Sequence, residues 1–489
     1  SSNTAIGKSA LTSNTTGAGN AAVGFSTLLT NSTGGCNVAI GCGALCSNTT
    51  AGENTAIGYT ALKLNTTGSS NVSVGARNLD ANTTGTNNVS VGRSGMGSNT
   101  TGANNTAIGQ SSLGLNTTGG NNTALGANSL EANTTGSLNV AVGNYSSDAN
   151  TTGTRNASLG SESLGSNTTG NDNTGIGQCA LKTNTTASEN TALGSYAMKL
   201  NTTGASNTGI GVNALCTNTT AANNVAVGKS ALRLNTTGTS NAAVGTEALC
   251  SNTTGGCNTA VGCGALQANT TASVNTAVGR NSLYSNTTGA ANVAMGYSAL
   301  NGNTTGTDNT ALGYQALDVN TTGNENTAVG RTAMASNTTG ISNVSVGSCA
   351  LKANTTGGEN TAVGYLALLL NTTASANVAV GRCALRTNTT GASNTAVGIN
   401  ALQSNTTANS NTAVGRDAGS SNTTGTTNTF IGQNAGDNLT TGDNNTSLGF
   451  NAQSSAVGSD NQFTLGDGNI SNLRCADTSI SSLSDLRDK

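Results

Sequence analysis

A glycine recurs every 17 residues, from Gly7 and Gly24 through Gly262, Gly279 and Gly296 to Gly449 and Gly466, 28 times without an insertion or deletion. Loops of a globular enzyme drift in length, so an unbroken register requires each copy to meet its neighbours through one fixed geometry, as the coils of a solenoid do. Residues 275–291 read NTAVGRNSLYSNTTGAA, and the consensus is N-T-A-V-G-x-x-A-L-x-x-N-T-T-G-x-x. The A-V and A-L pairs are too short and too closely spaced for helical turns, and the VG and NTTG punctuation would break a helix. The pattern therefore predicts short strands joined by tight turns. Equivalent strands stacked in register pair in parallel at about 4.8 Å, which predicts an all-β parallel β-solenoid, a β-roll of about 28 coils and on the order of 130 Å long.

Composition removes the alternatives. Only 2% of the chain is aromatic and 8% charged, and Trp, His and Pro are absent, so no ordinary globular core can be built from it. Disordered segments carry more charge and proline and hold no strict register. The net charge of -2 supplies no basic stripe, which argues against a nucleic-acid partner. No run of 18 apolar residues exists to insert in a membrane. The chain opens in mid-repeat at Ser1 without a methionine, and we read it as part of a longer protein.

The recurring positions have physical roles. Gly279 and its equivalents are never replaced, which predicts a positive φ or an approach too close for a Cβ. The glycine closing NTTG becomes alanine at Ala51, Ala187, Ala221, Ala272, Ala374 and Ala408, so that turn accepts a side chain. Val278 and Leu283 are read as the inward apolar residues; at the second position Ser147 is the exception to Leu or Met in the first 24 coils. Asn275 and Asn286 recur as two amide columns, expected to hydrogen-bond along the axis as ladders. The small side chains of one coil bury little area against the entropy of ordering it, so further burial between identical chains around a common axis is expected.

Candidate chemistry is sparse. Eleven cysteines include no CxxC, and without histidine neither a zinc site nor a catalytic triad is expected. Buried thiols are the first reading and inter-chain disulfides the alternative; Cys36 and Cys42 recur in phase as Cys257 and Cys263, which reads as repeat duplication. Twenty acidic residues cannot supply one calcium ligand per coil. No metal or cofactor is expected. NTT is formally a glycosylation sequon, but its amide would have to point outward. The residues after each glycine, such as Arg280, Tyr297, Tyr314 and Arg331, are read as solvated positions without a charged stripe or aromatic stack.

The N-T-A-V-G-x-x-A-L pattern resembles the S-V-A-I-G-x-x-S-x-A repeat of trimeric autotransporter adhesin heads, which implies a left-handed parallel β-roll in a homotrimer. The tail NQFTLGDGNISNLRCADTSISSLSDLRDK, residues 461–489, resembles the junction in viral tail fibres and spikes where a shaft meets an endosialidase-type intramolecular chaperone. That resemblance implies self-cleavage between Ser484 and Asp485, with the Ser484 hydroxyl as candidate nucleophile. Organisation follows: a uniform shaft over 1–414; modified coils over 415–466, where the second apolar position becomes Gly419, Gly436 and Gln453 and Phe430, Phe450 and Phe463 appear; and a connector over 467–489. The expected function is a non-enzymatic trimeric fibre or spike shaft on a virion surface, with two identical chains and a host receptor or glycan as partners. A cell-surface adhesin stalk and an ice-binding solenoid remain the alternatives.

Overall fold

The computed structural model describes residues 2–472; Ser484, Asp485 and Cys475 lie outside them. The chain divides into two compact units, 1–295 and 296–489. The first carries eighteen strands, β1 (Thr4–Ile6) through β18 (Val293–Met295), and the second ten, β19 (Thr310–Leu312) through β28 (Phe463–Leu465). Every strand has three residues, and the described residues contain no helix. Within each unit successive strands pair in parallel one repeat apart, as in Thr276↔Val293, Ala277↔Ala294 and Val278↔Met295, or Thr395↔Thr412, Ala396↔Ala413 and Val397↔Val414. Each unit is thus a parallel β-solenoid with one short strand per coil.

Period-two alternation decides what fills the core. In β17 (Thr276–Val278) the central Ala277 is fully buried and its two neighbours face out. The expectation that Val278 points inward is therefore corrected: the inward strand residue is Ala277, joined by Ser282 and Leu283, all at 0% exposure. A three-residue strand turns one side chain inward, and stacking at strand spacing leaves that side chain little room. Alanine, serine or glycine occupies the place from Ala5 to Ala413, before Phe430.

Leu283 reaches the core from a left-handed backbone, φ 50°, and Asn281 and Ala291 share that conformation at φ 56° and 57°. Asparagine adopts this region at lower cost than other non-glycine residues, and it recurs at the outer position as Asn128, Asn213 and Asn400. Leu366 holds the same place at φ 57°. Leu366→Asn is accordingly expected to stabilise its coils by about 0.5–1 kcal/mol. Higher amide protection across the neighbouring coils, measured by hydrogen exchange, checks it.

The strand glycines answer to both parts of the expectation. Gly279 has φ 129°, and a Cβ on Gly262 would lie 2.6 Å from the carbonyl oxygen of Gly279. Backbone N–H groups donate from coil to coil, as Thr276 N to Asn292 O at 2.8 Å and Gly279 N to Val261 O at 2.8 Å, a pattern in which proline has no place.

Candidate interaction surface

The two asparagine columns run through the inside of the turns. Asn275 Oδ1 accepts from the backbone N–H of Asn292 at 2.9 Å and from its Nδ2 at 3.3 Å. Asn275 Nδ2 donates to the Gly289 carbonyl at 3.0 Å. Asn286 Nδ2 donates to Asn269 Oδ1 at 3.0 Å and to the same Gly289 carbonyl at 2.9 Å. Both amides of a coil thus converge on the carbonyl that closes its NTTG turn. Asn275, Leu283 and Asn286 are fully buried; with Gly279 they are scaffold. Burial also removes the Asn286 amide from the folded surface, where a glycan would need it.

Two groups of polar residues replacing core positions satisfy one another, as burial without water demands, whereas the Ser447 hydroxyl, at the inward place of its strand, has no partner. Asn78 Nδ2 donates to Ser90 O at 2.7 Å, while Ser90 Oγ donates to Asn78 Oδ1 at 2.5 Å. Ser147, standing where leucine is the rule, lies with its hydroxyl 2.8 Å from that of Ser158, which also accepts from Ser146 at 2.7 Å.

The outer side of the strands is open to solvent. The first residue of the strand is Thr, Val or Ala through β27 (Thr446–Leu448), and the third is Val, Ile, Leu or Met. The third residue is exposed by 60% at Ile6, 41% at Ile40 and 45% at Leu312, and half-buried or exposed elsewhere. Within each unit the third strand residues thus form a column of mostly branched apolar side chains one repeat apart, half-buried or exposed. Scattered surface apolar residues need no explanation, but a contiguous stripe marks an interaction surface.

Two sequence expectations change on this surface. The Tyr297 and Tyr314 rings stack, with centroids 5.4 Å apart and planes 10° from parallel, because residues one repeat apart stand at strand spacing. The cysteines divide: Cys179, Cys250 and Cys383 are buried, whereas Cys36, Cys42, Cys257 and Cys263 are exposed, since the positions flanking the strand point outward. All ten cysteines among the described residues are free. The signal for both lay in the columns, which are visible once the repeats are set beneath one another.

Ionisable groups cluster modestly. Arg155 grips Asp172 one coil on through two hydrogen bonds, Nε to Oδ1 at 2.6 Å and a terminal nitrogen to Oδ2 at 2.8 Å, which lowers the Asp172 pKa. Lys182 pairs with Glu162. Burial raises the Asp148 carboxyl above its ordinary value, with Glu131 and Glu162 adding like charge against the opposing backbone hydrogen bonds. A raised carboxyl pKa means that ionisation favours unfolding. Stability from this group is greatest below its unfolded pKa and falls as pH rises through the folded one. Asp148→Asn is expected to raise local stability slightly at pH 7 and to lose that advantage below pH 4, about the ordinary carboxylate value. Paired denaturant titrations at the two pH values check it. Among the described residues no three acidic or thiol side chains gather as metal ligands would.

The fold is a parallel β-solenoid with an apolar stripe along the strand face of each unit. No protein-family model matches the chain, and no curated protein matches it.

Proposed function

We propose that the chain is the shaft of a homotrimeric viral fibre or spike, a left-handed β-roll whose strand faces turn toward a shared axis. The observation that carries this reading is the ladder of Val, Ile and Leu on the strand face, typified by Ile6 and Leu312. Three copies that turn these ladders inward remove apolar area from water in every coil, an increment that grows with length and needs no large side chain. The shaft stands on the virion surface and positions a host receptor- or glycan-binding end. One-time self-release at Ser484–Asp485 belongs to the same reading. An adhesin stalk shares the ladder and differs in what the shaft is attached to.

Multi-angle light scattering on the purified chain tests the assembly: a mass of three chains is expected, and a monodisperse monomer retaining β circular dichroism overturns it. One observation favours the ice-binding alternative. The second Thr of NTT is threonine in every coil from Thr16 to Thr441 and is exposed throughout. Thermal hysteresis in dilute solution would favour that reading over the shaft.

A further inference from the structure

The strand face has two edges, and they differ in charge. The positions following the strand glycine, from Lys8 to Phe450, hold seven bases and no acid. Lys8, Arg93, Lys229 and Arg280 lie in the first unit, Arg331, Arg382 and Arg416 in the second, and all are exposed. The positions preceding the strand asparagine hold the opposite sign. Exposed Glu53, Asp172 and Glu189 stand there in the first unit, and Asp308, Glu325 and Glu359 in the second. The one base in this row, Arg155, is already tied to Asp172. Six residues of largely extended chain, roughly 20 Å, separate the two rims of one coil, so the rims of one copy do not neutralise each other.

This asymmetry selects among the ways two such faces can meet. A rotation axis along the solenoid brings the basic rim of one copy beside the acidic rim of the next. An antiparallel pairing brings base beside base and acid beside acid, which is unfavourable. The cysteines add an independent, finer mark. Cys36 and Cys42 flank β3 (Val38–Ile40), and Cys257 and Cys263 flank β16 (Thr259–Val261). Cysteine occurs on the rims only in these two coils, and in both it occurs on both rims. All four are exposed and free. Within a coil they are too far apart to bridge, because a disulfide needs Cα atoms within about 7 Å. A rotation without axial shift sets Cys36 of one copy level with Cys42 of the next.

We infer that copies of this chain associate in parallel and in axial register, basic rim to acidic rim. Across that contact Cys36 bonds to Cys42 of the next copy, and Cys257 to Cys263. The inference rests on the self-association proposed above and specifies its geometry. The oxidant is a small disulfide such as oxidised glutathione. One cysteine thiolate attacks it and releases one small thiol, and the facing cysteine then displaces the second. The two protein thiols give up two electrons and two protons, which leave on the two small thiols.

The test uses the full chain with Cys46→Ser, Cys257→Ser and Cys263→Ser, which leaves a single rim pair and removes the neighbour of Cys42. To one version Cys36→Ser is added, to another Cys42→Ser. Each is treated with oxidised glutathione alone and after co-expression with the other, and bridged peptides are identified by mass spectrometry. A Cys36–Cys42 bridge is expected in the co-expressed pair, with neither version bridging itself through its remaining rim cysteine. A Cys36–Cys36 or Cys42–Cys42 bridge overturns the inference, because it requires like rims to meet. So does the absence of any rim bridge in a co-expressed pair that light scattering under reducing conditions finds oligomeric. A monomer in that measurement defeats the shaft reading itself. As a check on charge, Arg280→Glu, Arg331→Glu and Arg382→Glu together should lower the bridge yield several-fold. Adding Asp308→Lys, Glu325→Lys and Glu359→Lys should restore it, and an unchanged yield in both counts against the charged rims.

Discussion

Gly109→Val is expected to open the coils on either side of it, while Gly119→Ala, in the same coil, is expected to cost far less. Space alone does not separate the two sites. A Cβ on Gly109 would lie 2.4 Å from the Gly126 carbonyl oxygen, and one on Gly119 would lie 2.3 Å from the Gly136 carbonyl oxygen and 2.6 Å from Asn116 Oδ1. The difference is conformational. Gly109 has φ 138°, a region closed to side-chain-bearing residues at a cost of about 1–3 kcal/mol, and worst for a β-branched one. Gly119 is not in a left-handed conformation, so a small backbone shift admits a methyl group, as at the buried alanines Ala51 and Ala187. With the steric term added, Gly109→Val should cost about 4 kcal/mol or more, and Gly119→Ala about 1 kcal/mol. In a repeat array each coil is held chiefly by its neighbours, so damage is local. Amide exchange across residues 92–143 is the measurement, and equal loss of protection in both variants would refute the assignment.

That contrast explains what the sequence made legible. Register, strand position and the two asparagine columns follow from geometry that each of the coils must repeat, so chemistry that one backbone position demands reappears every 17 residues. Gly279 is such a position, and so is Asn286. Facing was harder, because T-A-V has too few residues to reveal which alternation phase is buried. Hydrophobicity favoured Val278, yet the centre of the strand is held to small residues while the third place drifts among Val, Ile, Leu and Met. Tight restriction of size, rather than apolar character, marks the inside of so narrow a coil. The charged rims escape a linear reading for another reason: their members lie a whole repeat or more apart, and composition averages them to a net charge of -2.

The largest loss from a single truncation is expected at Phe430. It occupies the centre of β26 (Thr429–Ile431), where the preceding coils carry alanine, serine or glycine, and it is fully buried. Two leucine positions have given way to make room. A Cβ on Gly419 would lie 2.4 Å from one edge of the ring, and a Cβ on Gly436 would lie 2.1 Å from the other. One aromatic side chain thus fills volume that leucines of adjacent coils supply elsewhere. Phe430→Ala removes it with nothing able to collapse inward, since both flanking residues lack side chains, and should cost about 3–5 kcal/mol. Gly436→Leu alone should also destabilise, by overpacking against the ring. Together, Phe430→Ala, Gly419→Leu and Gly436→Leu rewrite the region as consensus coils and should recover most of the loss. The backbone permits this: Gly419 and Gly436 have φ 59° and 63°, close to the 49° at which Leu402 already sits one coil earlier. Such strong coupling between changes that are each harmful alone is the signature of a shared volume. A denaturant series on the single and combined variants measures it, and additive losses would mean that the ring and the two glycines are not packed as one unit.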